Sequence, residues 1–252
     1  MTPSTSAPDD AAPDDAAPDD AAPDDAAPDD AAHDDPPILL FDMDGVLVEG
    51  RGTDETVHER ALDDAIAERG LDVDPETRAL LSGYEYDADF ARGCARLGVD
   101  PVAFYGLRER HGERRVIDRL ESGVRTLYPD ATVVQELAER YTVGVVSNNY
   151  DGVVRFVVDH HGLDAFAHVR GRDTGVRGFY RRKPDPHYLL DALDSLGGAD
   201  GCYVGDRGTD LLAATRAGLD PVLVRRPHND GLVPPVEPTV EVDSLSALAD
   251  RL

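Results

Sequence analysis

Residues 38–47 have the sequence Ile-Leu-Leu-Phe-Asp-Met-Asp-Gly-Val-Leu, in which four apolar residues run directly into two carboxylates and a glycine. A short apolar run of this kind predicts a buried strand of a parallel sheet. Asp42 and Asp44 would then lie at the carboxyl end of the strand, where open α/β sheets bind their ligands. Two carboxylates this close repel each other unless a cation lies beside them, and Mg²⁺ favours such oxygen ligands. An ordinary Asx-type turn is the alternative that this motif alone leaves open.

Strand and helix patterns alternate through the second half of the chain, from residue 122 to residue 252. Two of the apolar runs there end at Ser147 and at Asp206, and helical patterns lie between them. Asp130 would cap a helix that ends at Tyr141, and residues 165–169 would form a short strand. Such alternation predicts an α/β fold with a parallel sheet covered by helices on both faces. The carboxyl edge of that sheet would carry Asp42, Asp44, Ser147 and Asp206 together.

Residues 49–121 have a different character, because apolar residues recur there at helical spacing and no strand-like run interrupts them. Gly83 and Gly98 separate the helical patterns. This stretch predicts an all-helical insert between the first strand and the rest of the sheet. We therefore expect a core formed by residues 36–48 and 122–252, with residues 49–121 as a separate helical unit.

An acidic repeat occupies residues 1–35, where five copies of Ala-Pro-Asp-Asp-Ala precede a sixth, altered copy. A proline in every copy prevents a helix, and the repeat has almost nothing apolar to bury, so we predict a disordered tail. Its 12 aspartates face no Lys or Arg, which leaves −14 of the formal net charge of −26 on residues 36–252.

The basic residues are unusual, since 24 of the 25 are arginine and only Lys183 is lysine. This acidic, lysine-poor composition resembles that of proteins from salt-in halophiles, where molar salt shortens the screening length to about 3 Å. The negative charge argues against a nucleic-acid partner, because phosphate backbones bind basic surfaces.

Location and covalent chemistry are constrained by what the sequence lacks. No apolar run approaches the roughly 18 residues of a membrane span, and no signal sequence opens the chain, so we expect a cytoplasmic protein without a membrane partner. The two cysteines, Cys94 and Cys202, suggest neither a disulfide framework nor a zinc site. The oligomeric state, monomer or dimer, is left open.

Four motifs occur in the chain in this order: Asp42-Met43-Asp44-Gly45-Val46, Ser147 after an apolar strand, Lys183 in Arg182-Lys183-Pro184-Asp185-Pro186, and Gly205-Asp206-Arg207-Gly208-Thr209-Asp210. They resemble those of the haloacid dehalogenase superfamily, and within it the members similar to phosphoglycolate phosphatases. The composition adds a resemblance to halophilic archaeal members. The family likeness implies a Rossmann-like core, a helical cap of the first type formed by residues 49–121, and Mg²⁺-dependent phosphoryl transfer through an aspartyl-phosphate.

The resemblance implies a role for each motif residue. Asp42 would be the nucleophile, and Asp44 the acid and base that protonates the leaving alkoxide and later takes a proton from water. Ser147, Lys183 and backbone N–H groups, including that of Asn148, would bind the phosphoryl oxygens. Mg²⁺ is the implied cofactor, and its implied ligands are Asp42, the carbonyl oxygen of Asp44, Asp206, and Asp210 as the residue that orients bound water.

More than one function remains open at this stage. We expect a phosphatase acting on a small phosphorylated metabolite, whose identity the sequence does not give. A sugar phosphomutase of the same superfamily is the alternative enzyme, and a non-catalytic binding protein is disfavoured because every motif residue is present. Residues 170–183 carry five Arg and one Lys against one Asp, which would suit attraction of an anionic substrate, a partner surface or an ion-paired loop.

Overall fold

Six strands form one parallel sheet. The structure is a computed structural model that describes residues 36–252, so the predicted disordered tail lies outside the described residues. The strands are β1 (Ile38–Phe41), β2 (Thr142–Tyr150), β3 (His168–Arg172), β4 (Gly201–Gly205), β5 (Asp220–Val224) and β6 (Val240–Val242). β1 lies in the middle of the sheet, hydrogen-bonded to β2 on one side and to β4 on the other, and the full order is β3-β2-β1-β4-β5-β6.

Both faces of β1 are buried, as its unbroken apolar run predicts. The helices that follow the insert are α5 (Val133–Leu137), α6 (Asp151–His161), α7 (Val176–Tyr180), α8 (His187–Leu196), α9 (Gly208–Ala217) and α10 (Leu245–Ala249). Leu39 and Phe41 pack into a core with α5, α6 and α10, whereas Ile38 and Leu40 pack on the opposite face against α8 and α9. This alternation confirms the predicted α/β fold with helices on both faces.

The insert between β1 and β2 is helical, as predicted. Each of its four helices begins after an aspartate whose side chain accepts a hydrogen bond from a backbone N–H of the first turn. Phe90, Phe104 and Tyr105 lie in a hydrophobic cluster that belongs to these helices. The proposed division into a core and a cap at residues 49–121 stays a prediction. The helices are α1 (Glu55–Glu68), α2 (Pro75–Leu81), α3 (Ala88–Leu97) and α4 (Pro101–Glu121).

The segment that follows the insert differs from the sequence prediction of a single helix capped by Asp130. A 3₁₀ turn at Pro129–Thr132 leads into α5, which ends at Leu137. The Asp130 carboxylate instead accepts hydrogen bonds from Arg226 at 2.9 and 3.0 Å, and from the Leu245 N–H at 2.8 Å. Asp130 therefore joins distant parts of the core rather than capping its own helix.

Two further elements depart from expectation. β3 pairs with β2 from His168 onward, so the strand lies three residues later than the apolar pattern predicted. The short α7 was not predicted, and its Phe179 packs into the hydrophobic cluster of the insert helices. Within residues 36–252, no helix combines the length and the apolar character needed to cross a bilayer.

Candidate active site

β1 places Asp42 at the carboxyl edge of the sheet. The Asp42 N–H donates to the Val204 carbonyl at 2.8 Å, so the backbone still follows β4 at this point. The chain then turns at Gly45, whose φ of +87° is a conformation that L side chains rarely adopt. A Cβ at this position would also lie 2.2 Å from Asp206 Oδ2. Glycine is thus required for the turn after β1 to approach Asp206.

Three buried carboxylates meet at this edge. Asp42, Asp206 and Asp210 each offer an oxygen, and these oxygens lie within 4.8 Å of one another. Asp206 Oδ1 is buried and accepts no hydrogen bond from any residue of the described chain. Burial, together with the charges of Asp210 and Asp42, raises the pKa of Asp206 to about 8. An all-oxygen donor set with a buried oxygen that, among residues 36–252, accepts no hydrogen bond and has only Arg207 Nε, at 3.7 Å, within ion-pair distance fits a hard divalent cation such as Mg²⁺, which would stabilise the charged carboxylates.

Lys183 lies between two of these acids. Its ammonium nitrogen is 2.9 Å from Asp42 Oδ1 and 2.8 Å from Asp210 Oδ1. It also donates to the hydroxyl of Tyr203, which in turn donates to the Val146 carbonyl at 2.7 Å. Burial alone would lower the pKa of Lys183, but the charges of Asp210 and Asp42 outweigh burial and raise it. Lys183 is therefore a buried cation held against the proposed nucleophile.

The Asp44 carboxylate is held by Arg125 and Asn149 rather than by Lys183. The guanidinium of Arg125 lies 2.7 Å from Asp44 Oδ1, and Asn149 Nδ2 donates to Asp44 Oδ2 at 2.9 Å. Arg125 follows the insert in the chain and also donates to the Glu49 carbonyl at 2.7 Å. No carboxylate oxygen of Asp44 belongs to the acidic cluster, so its expected part in metal binding, through the carbonyl oxygen, stays a prediction.

β2 loses regular pairing just where the predicted phosphate-binding residues occur. The register shifts between Val146 and Tyr150, and Ser147 lies in this irregular part, buried at the site. The side chain of Asn148 pairs with the backbone of Lys183: its Oδ1 accepts from the Lys183 N–H at 2.8 Å, and its Nδ2 donates to the Lys183 carbonyl at 3.1 Å. Asn148 thus fixes the loop that carries Lys183, which leaves its backbone N–H as the group expected to reach a phosphate.

The comparison with protein families agrees with this geometry. The model of the haloacid dehalogenase-like hydrolases matches residues 37–218, a stretch that contains all of the predicted site residues. The chain belongs to this family. As a haloacid dehalogenase-like hydrolase it is an enzyme, and its relatives are phosphatases.

Curated relatives are phosphoglycolate phosphatases. That of Mesorhizobium japonicum is 27% identical over 227 residues, covering 86% of this chain and 94% of the relative. That of Cereibacter sphaeroides is 30% identical over 192 residues, covering 73% and 82%. None of the comparisons supports the archaeal, halophilic interpretation, which stays a prediction.

Solved structures share the fold of this haloacid dehalogenase-like hydrolase at lower identity. CbbY from Rhodobacter sphaeroides in complex with phosphate has a TM-score of 0.58 at 22% identity, covering 84% of this chain and 96% of CbbY. A hydrolase from Geobacter sulfurreducens has a TM-score of 0.51 at 18% identity, covering 86% and 99%. These likenesses establish the architecture of the core and the insert.

The sequence analysis missed two residues of the loop after β5. His228 Nε2 is 2.6 Å from Asp206 Oδ2, and Asn229 Nδ2 donates to the Asp206 carbonyl at 2.7 Å. The Asn229 Oδ1 in turn accepts from the Arg226 N–H at 2.8 Å. Asp206 is therefore held through both its side chain and its backbone. No sequence signal marked this loop, because its residues reach the site only through the pairing of β4 with β5.

A cavity of about 330 Å³ opens beside these acids. Its wall combines residues of the sheet edge with residues from the insert and from the segment that precedes Lys183. This arrangement can enclose a small ligand between the acidic cluster and the insert. The wall includes Asp42, Asp44, Ser147, Asn148 and Asp210 at the sheet edge, His58 and Tyr84 from the insert, and Arg172 and Arg182.

The basic segment 170–183 is ion-paired in part. Arg170 lies 2.9 Å from Asp173, and Arg172 forms two hydrogen bonds with Glu109 at 2.6 and 3.0 Å. Within residues 36–252, Arg182 makes no such pair, and it lines the cavity. The ion-paired role thus holds for part of the segment, whereas Arg182 faces the space that a substrate would occupy.

Proposed function

We propose that this chain is a Mg²⁺-dependent phosphatase that hydrolyses a small phosphate monoester through an aspartyl-phosphate on Asp42. The observation that carries the proposal is the buried cluster of Asp42, Asp206 and Asp210, with Lys183 against two of its members and an Asp206 oxygen that accepts no hydrogen bond within the described residues. Family membership and the phosphatase relatives support the same reaction.

The proposed reaction has two displacements at phosphorus. A carboxylate oxygen of Asp42 attacks, a P–O bond forms on Asp42, and the ester P–O bond breaks. Asp44 gives its proton to the leaving alkoxide and then takes a proton from the water that attacks the phosphoryl group. Breaking of the bond to Asp42 releases inorganic phosphate and restores the carboxylate.

Lys183, Ser147 and the backbone N–H of Asn148 would hold the phosphoryl oxygens while their charge is redistributed. The carboxylates of Asp42, Asp206 and Asp210 would hold the metal, together with the carbonyl of Asp44. Bound Mg²⁺ supplies charge neutralisation at the phosphate.

A small substrate is supported by the cavity and by the relatives. The cavity of about 330 Å³ lies where residues 49–121 would act as a cap that excludes water. The curated relatives are phosphoglycolate phosphatases, which makes phosphoglycolate the first candidate substrate. CbbY has been crystallised with phosphate and, as a variant, with xylulose-1,5-bisphosphate, so similar folds accommodate small phosphorylated molecules.

The test is phosphate release from a panel of phosphate monoesters, with and without EDTA. We expect hydrolysis to stop in EDTA and to return with added Mg²⁺. Asp42→Asn should lower kcat by about a thousandfold or more, because the amide cannot attack phosphorus. Arg177→Gln, an exposed change outside the cavity, serves as the matched control and should leave kcat unchanged.

Two outcomes would contradict the proposal. Hydrolysis that is indifferent to EDTA would remove the metal from the mechanism, and full activity of Asp42→Asn would remove the nucleophile. Conversion of glucose 1-phosphate to its 6-phosphate isomer, without phosphate release, would favour the sugar phosphomutase instead.

A further inference from the structure

Arg182 is held in a fixed orientation on the wall of the cavity. Its guanidinium carbon lies 3.7 Å from the centre of the Phe179 ring and 5.0 Å from that of Tyr84. Its Nε donates to the Phe179 carbonyl at 2.8 Å, and its Nη1 donates to the Tyr84 hydroxyl at 2.9 Å. Aromatic faces and neutral acceptors of this kind orient a guanidinium without neutralising its charge.

No carboxylate of the described residues compensates the charge of Arg182, in contrast to that of its neighbour on the same wall. Arg172 is paired with Glu109 by two hydrogen bonds. Among residues 36–252, no carboxylate lies within ion-pair distance of the Arg182 guanidinium. Glu55 also lines the cavity, but it is exposed to solvent. Arg182 is thus preorganised and still able to accept an anion.

His58 lies beside the aromatic pair that orients Arg182. The centroid of its ring lies 4.5 Å from that of Tyr84, and its side chain lines the same cavity. Burial, and then the charges of Arg108, Arg172 and Arg182, lower the pKa of His58 to about 4. The imidazole is therefore neutral near pH 7 and does not compete with Arg182 for an anion.

A ligand bound at the acidic cluster would be within the same small cavity as Arg182, because Asp42, Ser147 and Arg182 all line it. The phosphoryl group itself has Lys183 and the proposed metal to balance its charge. The free charge of Arg182 consequently suits a different group of the same substrate.

We propose that Arg182, oriented by Phe179 and Tyr84 and flanked by His58, forms a subsite for a second anionic group, a carboxylate or a second phosphate. The preferred substrates are then small phosphate esters that carry such a group. This assignment rests on the proposed phosphatase function and specifies its substrate class. It also makes the insert part of specificity, since Tyr84 and His58 come from the insert.

The kinetic test uses three phosphate esters on a two-carbon skeleton. They are phosphoglycolate, the analogue in which a primary amide replaces its carboxylate, and ethylene glycol bisphosphate. The wild type should show a kcat/KM at least about tenfold higher for either ester with a second anionic group than for the amide, because a charged hydrogen bond is lost with the amide. The relative values for phosphoglycolate and the bisphosphate identify which second anion fits. Arg182→Gln should remove the preference by lowering only the values for the esters with a second anionic group, and Arg182→Lys should restore part of it. Arg177→Gln, an exposed change in the same segment, should keep it.

Binding separates this assignment from the proposed function. Calorimetric titration of Asp42→Asn with phosphoglycolate and with its amide measures the preference without turnover, and Asp42→Asn/Arg182→Gln should lose it. Equal binding of the two esters, or an equal loss for both on Arg182→Gln, would overturn the subsite whether or not the wild type hydrolyses them. A retained binding preference in a protein that releases no phosphate would instead refute the phosphatase and leave the anion subsite supported.

Discussion

At the scale of single residues, Asp206 shows how the protein prepares a carboxylate for a cation. One oxygen lies 2.6 Å from His228 Nε2, and the backbone carbonyl accepts from Asn229. The other oxygen is buried and accepts no hydrogen bond within the described residues. Groups that orient a metal ligand in this way commonly contribute about 10- to 100-fold to metal affinity. His228 is accordingly a positioning residue for the proposed Mg²⁺ site.

We expect His228→Ala to weaken Mg²⁺ binding by about tenfold or more, because Asp206 would lose the contact that fixes its side chain. Isothermal titration with Mg²⁺ in the absence of substrate measures this directly. His228→Gln, which can still donate to Asp206, should recover part of the affinity. His160→Ala, at the exposed end of α6, is the control and should bind Mg²⁺ as the wild type does. An unchanged affinity in His228→Ala would show that Asp206 needs no support from this loop.

At the scale of elements, β3 and the insert helix α4 are joined through a buried ion pair. Arg172 and Glu109 are 1% and 2% exposed, and Glu109 also accepts from the Gly175 N–H. The Arg172 guanidinium lies 4.3 Å from the centre of the Tyr150 ring. Removal of one partner from such a pair leaves an uncompensated charge in the interior, which costs about 3–5 kcal/mol. The pair therefore fixes where the insert lies on the sheet edge.

Glu109→Gln and Arg172→Met should each lower the free energy of unfolding by about 3–5 kcal/mol. The double variant should lose clearly less than the sum, because neither charge is then left alone. Urea unfolding of the four proteins gives the coupling. Arg92→Ala breaks an exposed pair with Asp89 and should change the free energy of unfolding by less than about 1 kcal/mol. Additive losses would mean that the two side chains act independently.

Local patterns predicted most of the elements but few of the contacts between them. The apolar run before Asp42 predicted β1, and apolar residues at helical spacing predicted the insert helices, because both signals depend on neighbours in sequence. Asp130 was assigned to its own helix, whereas Arg226, 96 residues away, determines its role. His228 escaped notice for the same reason, and Arg182 was named only within the lysine motif and the basic segment 170–183. Their significance depends on Asp206 and Tyr84, which only the folded chain brings to them.

At the scale of the whole molecule, negative charge dominates. Residues 36–252 carry a net charge of −14, and the predicted site residues all lie among them. Charges on one protein repel each other over the screening length of the solution. Local ion pairs such as that of Arg225 with Glu241 offset only part of this repulsion.

Stability should therefore rise with KCl. Between about 0.1 and about 1 M salt the screening length falls from about 10 Å to about 3 Å. We expect the thermal midpoint to increase by at least about 5 °C, which corresponds to roughly 2 kcal/mol for a chain of this size. Calorimetry across a KCl series measures it. Residues 36–252 alone should show the same direction of change, and a flat response in both proteins would reject the halophilic interpretation.

Because Lys183 is the only lysine of the sequence, acylation of lysine side chains reports on a single position of this protein. Lys183 is 4% exposed, so in the folded state its ammonium group is shielded from acylating reagents. Acylation of Lys183, read by mass spectrometry, would count the events in which the site opens to solvent. One residue thereby serves as a built-in probe of exposure, with no substitution needed to create it.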